Sequence, residues 1–210
     1  MKSLSKILIS MIFISLTTNC TKNQAEDAKE GVQNTIKEYK IMGIWESTCQ
    51  KSKVLGLSMR EFYKFSGNGL VKATELYATE DCKNSSARIQ YEGKFQISDK
   101  NHLGENSRYI DLDYQKVYIT PLSKSGTSLL KKLSFCDVSE WTLDTKVNLT
   151  GTSNRPTCPI EHTPQKIYDI TKIEDSKLYF GAGKSKMDLA SRPMELNKDV
   201  FFTESHQRLD

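Results

Sequence analysis

The chain has 210 residues, enough for one folded domain with accessories and too many for a peptide. With 37% hydrophobic and 27% charged residues, 11 Gly and 5 Pro, its composition excludes wholesale disorder, collagen-like repeats and a polytopic membrane protein. The formal charge is +4, but Lys2 and Lys6 fall in an N-terminal leader, so the rest is nearly neutral and carries no footprint for nucleic acid.

Residues 1–19 read as a signal peptide: Lys2 and Lys6, an apolar stretch over 7–16, then Thr17-Thr18-Asn19 before Cys20. The apolar run is too short for a bilayer, which takes about 20 residues. The segment resembles a bacterial lipoprotein leader, with Leu16 four positions before the cysteine and Asn19 directly before it. That resemblance implies lipidation of Cys20, with fatty-acyl chains such as palmitate, and cleavage that makes Cys20 the first mature residue. Several acyl chains hold a protein stably on a membrane face where one is marginal. Because Thr21 rather than Asp follows, the resemblance points to the outer membrane, with the body facing the periplasm or the exterior.

Residues 20–40 are polar, with Ala25, Ala28, Val32, Ile36 and Tyr39 at helical spacing, and read as a lipid-anchored tether running into a short N-terminal helix. From residue 41 the texture changes to period-two alternation, so the body, 41–204, is all-β, followed by a tail over 205–210. Strands are expected at 58–66 and 70–78 around Gly67-Asn68-Gly69, a hairpin loop tolerant of positive φ. Residues 87–97 alternate most cleanly: Ala87, Ile89, Tyr91, Gly93, Phe95 and Ile97 on one face, Arg88, Gln90, Glu92, Lys94 and Gln96 on the other. In 108–119, Ile110 and Leu112 are out of phase with Val117 and Ile119, which requires a turn or bulge near Tyr114-Gln115. Strands at 167–173, 177–180 and 199–203 complete an antiparallel up-and-down meander. A loop-rich insertion, about 121–164, interrupts it, with a short helix expected over 127–133. Closing the meander into a barrel removes its edges.

Besides Cys20, four cysteines remain: Cys49, Cys82, Cys136 and Cys158, an even number in an exported chain, where thiols pair. Three connectivities are possible, and the local one, Cys49 with Cys82 and Cys136 with Cys158, is favoured because neither bridge forces a long crossover. No two of them form a C-x-x-C pair, so no metal is expected.

Gly43-Ile44-Trp45, just after the short helical segment, is similar to the G-x-W motif of lipocalin-like proteins. The continuation through Ser47, Cys49, Arg60, Tyr77, Asp81-Cys82 and Gly93 resembles a wider group of exported lipocalin-like domains. The resemblance covers about 43–97. It implies that Gly43 and Trp45 form the barrel floor and that the first cysteine pair ties strand one to a later turn. The long insertion and the lack of a helix after the last strand depart from that family, leaving a half-open barrel or a sandwich as alternatives.

Catalysis is not expected. His102, His162 and His206 stand in loop-like contexts, and no H-E-x-x-H, G-x-S-x-G or EF-hand motif occurs. Gly181-Ala182-Gly183-Lys184-Ser185 ends like a phosphate loop, but Leu178 stands where its first glycine belongs. Asp111 and Asp113 share one strand face and read as solvated side chains. No cofactor is called for. Tyr63, Phe65, Ile89, Tyr91 and Phe95 are the candidate cavity lining. Two readings follow: a lipid-anchored binding module holding a small apolar ligand in its barrel, or an interaction module with a solid core that contacts a protein partner through the insertion.

Overall fold

A computed structural model describes residues 40–51, 57–98, 104, 107–152, 157–158, 160–183 and 188–209. The leader, Cys20 and the expected N-terminal helix therefore lie outside the described residues. Among the described residues ten strands follow in chain order: β1 (Gly43–Ser47), β2 (Gln50–Lys51), β3 (Ser58–Ser66), β4 (Gly69–Tyr77), β5 (Ser85–Ser98), β6 (Ser107–Pro121), β7 (Val147–Asn148), β8 (Gln165–Glu174), β9 (Lys177–Gly181) and β10 (Leu196–Glu204). One α-helix, α1 (Lys124–Lys132), sits between β6 and β7.

Eight strands close a ring. Each long strand pairs antiparallel with the next, β6 skips the insertion to pair with β8, and β1 seals the gap by pairing with both β10 and β3. Trp45 stands at the seam, opposite Glu204 on one side and Tyr63 on the other. Ser47 extends the seal, because its hydroxyl accepts the Glu61 backbone N–H at 2.9 Å. Closure leaves no edge in the ring to recruit a foreign strand, and it excludes the open-barrel and sandwich alternatives.

The alternation in β5 is realised. Ala87, Tyr91, Phe95 and Ile97 are buried in the main core and Ile89 packs against it; on the opposite face, expected to be wet throughout, Lys94 and Gln96 are exposed, Arg88 and Glu92 are partly buried and Gln90 is buried. The phase conflict in β6 resolves as a bulge inside one continuous strand: Glu92 faces Lys116 and Gly93 faces Tyr114, so Gln115 is the extra residue. Ile110, Leu112 and Tyr114 before it and Val117 and Ile119 after it all turn inward. Gly93 is required there, since a Cβ would lie 1.8 Å from the Asp113 carbonyl oxygen.

The insertion contributes more structure than its sequence announces. Ser123 caps α1 by accepting the Gly126 N–H at 3.0 Å, which starts the helix before residue 127. Gly126 lets the helix lie directly on Ser86 of β5, where any side chain would collide with the backbone. Leu130, Phe135, Trp141, Leu149 and Ile160 join the same apolar core as the barrel interior. The insertion thus covers the end of the barrel where β6 leaves and β8 enters, with its apolar side chains turned in. Disulfides join Cys49 to Cys82 and Cys136 to Cys158. The tail is not loose either: buried Leu209 packs on Phe62 and Ala73 on the outer wall.

Candidate functional site

The lower interior is closed by rings. Trp45 is buried and donates its indole N–H to the Ile41 carbonyl at 2.7 Å, tying the approach segment under the barrel. Gly43, at φ +125°, makes the bend into β1. Tyr63 meets Phe180 and Phe202 at centroid separations of 4.7 and 5.2 Å, and Phe65 meets Phe95 edge-on at 4.9 Å. Such contacts are favourable beyond the area they bury.

One row of paired residues departs from this pattern. Trp45, Tyr63, Lys72, Tyr91 and Val117 stand opposite one another in consecutive strands β1, β3, β4, β5 and β6. Alternation in β4 puts Lys72 on the inner face with Leu70, while Ala73 belongs to the outer cluster. A lysine therefore enters a wall of aromatics, with its side chain only 15% exposed. Its ammonium lies 6.0 Å from the Tyr63 ring centre and 5.9 Å from that of Tyr91. Tyr114 leans against Tyr91 at 5.4 Å.

Two carboxylates approach from different segments: Glu61 of β3 at 3.5 Å, and Glu161, half-exposed on the segment entering β8, at 4.0 Å. The Glu161 backbone N–H donates to the Tyr91 hydroxyl at 3.0 Å, so the covering segment is fastened to the interior at the same place. Neither carboxylate reaches the 2.7–2.9 Å of a charge-assisted hydrogen bond.

The electrostatics are consistent. Burial alone would lower the Lys72 pKa, but the negative charges of Tyr63, once it ionises at high pH, and of Glu61 and Glu161 more than offset it and hold the group well above its ordinary value. Burial pushes the Tyr91 phenol up to about 12, with the Glu161 charge adding to it. Burial likewise raises Tyr63 and Tyr114. The cluster is thus one cation and two carboxylates amid neutral phenols, an arrangement suited to binding an oxygen acceptor and poor in nucleophiles.

Of the residues expected to line a cavity, Tyr63, Phe65, Tyr91 and Phe95 are buried inward-facing rings and Ile89 packs partly buried beside them. Tyr63 and Tyr91 reach the charged cluster, whereas Phe65 and Phe95 face each other below it. The alternation that buries Leu70 and Leu76 also points Lys72 inward, but Glu61 and Glu161 join it only through tertiary structure. Asp111 proves to be an anchor rather than a solvated pair member: it binds Lys166 at 3.1 Å and the guanidinium of Arg192, which also donates to the Asp169 carbonyl at 2.6 Å. His162 and His206 are exposed, and His102 lies outside the described residues. Among the described residues no group of His, Cys, Asp and Glu is arranged to hold a metal, and no helix is long and apolar enough to cross a membrane.

Fold and site together define a closed, eight-stranded, antiparallel up-and-down barrel with a charged, phenol-lined cluster inside. Comparison with known proteins returns no matching family model and no similar curated protein.

Proposed function

We propose that this chain is an exported, lipid-anchored, lipocalin-like protein that binds a small, largely apolar ligand in its barrel. The observation that carries the reading is Lys72: a charged side chain turned into an aromatic barrel, beneath a covering segment attached at Glu161. Buried ionisable groups are expensive unless fully paired and concentrate at functional sites. The leader ending at Cys20 supports the anchor, and two disulfides in the body support an oxidising compartment. The protein acts as a carrier or sensor rather than an enzyme. Native mass spectrometry of the mature chain after incubation with fatty acids, retinoids and haem tests this. One bound ligand per chain is expected, and no adduct with any of them would overturn it.

The second reading, a solid-core module that contacts a protein, is favoured by the seating of Leu130, Phe135 and Trp141 in the barrel's own core. Those residues make deletion of the insertion a test of folding rather than of binding. Leu133→Ser with Leu143→Ser, both exposed on the insertion, leaves the core intact. Loss of a crosslinked partner from that variant would support the module.

A further inference from the structure

Closure of the ring rests on a short strand. β1 pairs with β10 through three residues in register, Trp45, Glu46 and Ser47, fewer than join any other two neighbours in the ring. The tail crosses that seam from outside. The Ser205 N–H donates to the Ile44 carbonyl at 2.8 Å and its hydroxyl donates to the Glu46 carboxylate, which fastens the start of the tail to β1. Further on, the Lys64 ammonium of β3 reaches the Leu209 carbonyl at 3.5 Å. The Leu209 side chain packs on Phe62 of β3 and Ala73 of β4, with Ile44 of β1 beside them. Thr203, Glu46, Phe62 and Ala73 form one row across β10, β1, β3 and β4, so the tail runs over the outer wall in the order in which these strands are joined.

We propose that the tail is a releasable clasp: with Leu209 seated, β1 is held between β10 and β3, and with Leu209 unseated β1 opens while the rest of the barrel stays folded. The inference does not depend on whether the barrel carries a ligand. Phe62 and Ala73 point outward, where a barrel wall ordinarily meets water, yet both are fully buried, which makes them a socket. Between the two attachments His206, Gln207 and Arg208 are exposed, so Leu209 is the side chain that seats the far end. Local opening costs least where few backbone bonds and few apolar contacts must be given up, and β1 is such a place. A strap fixed to both sides of the seam raises that cost there, because unseating it returns the apolar surface of Leu209 and its socket to water. β1 also carries Trp45, whose N–H is bonded to the Ile41 carbonyl, so the clasp sets how often the barrel floor is unsealed.

The test is native-state hydrogen exchange of the mature chain, read residue by residue by NMR. In Leu209→Ser the amides of Trp45, Glu46 and Ser47 should exchange at least about tenfold faster than in wild type, a factor in keeping with the loss of one buried leucine. Amides of β5 and β6 should stay within about twofold, since their exchange follows larger openings. Ser205→Ala, which removes one half-open hydrogen bond to a carboxylate, should accelerate the same β1 amides by about threefold. Unchanged β1 exchange in either variant would overturn the proposal. So would acceleration spread equally over β1, β5 and β6, or a Leu209→Ser chain that does not fold, since either makes the tail part of the global fold rather than a clasp.

Discussion

Two ions, one buried and one partly buried, stand three residues apart on β4, facing opposite sides of the same wall. Glu75, outward and 3% exposed, is closed on itself: an Arg88 fork fills one carboxylate oxygen and Tyr77 the other. Lys72, inward and 15% exposed, is held more loosely, by ion pairs with Glu61 at 3.5 Å and Glu161 at 4.0 Å and by the Tyr63 and Tyr91 rings. A buried ion closed by short hydrogen bonds holds strands together, whereas a loosely paired one with residual exposure is free to change partners. The same chemistry thus separates a joint of the barrel wall from a candidate binding point.

The sharpest way to break this contrast is Arg88→Met. It leaves Glu75 buried without its cation and should lower stability by about 3–5 kcal/mol in urea unfolding; a loss under about 1 kcal/mol would make Glu75 no joint at all. Alkaline titration comes next. Tyr91 ionises near pH 12 in the folded chain and near pH 10 unfolded, so its contribution is full below pH 10 and is lost as pH rises toward 12. Phenolate absorbance should lag in the native chain and appear together with unfolding, and early ionisation of every tyrosine would contradict the buried cluster. Tyr77→Phe removes one hydrogen bond to a charged acceptor and should cost about 1.5–3 kcal/mol. Lys72→Met has the smallest expected effect, within about 1 kcal/mol of wild type, because it removes an ion pair without hydrogen bonds and leaves behind two carboxylates that retain contact with water.

The barrel was legible where local pattern carries the physics. Period-two alternation over 87–97 placed the inner face of β5, and the clash of phase between Leu112 and Val117 demanded the bulge found at Gln115. Both disulfides follow the local pairing. The seal was less visible, since β1 is short and pairs on both sides. The insertion read as loop because Phe135, Trp141 and Leu149 reach the core from irregular backbone with no period to reveal them. Lys72 sat on an apolar strand face in plain view, yet a charge at such a position acquires meaning only from Glu61 and Glu161, which arrive from distant segments. Arg192, likewise, is surrounded by Asp111, Tyr109 and Tyr168, all distant from it in sequence.

The most direct measurement places both ions under one probe: nitrogen-detected NMR of the Lys72 Nζ and Arg88 Nε groups while one equivalent of a retinoid that binds the mature chain is added. The Lys72 signal should shift as a ligand enters the barrel beside it, with Arg88 unmoved. A silent Lys72 in a ligand-bound chain, or a shift at Arg88 instead, would contradict the division of roles along β4.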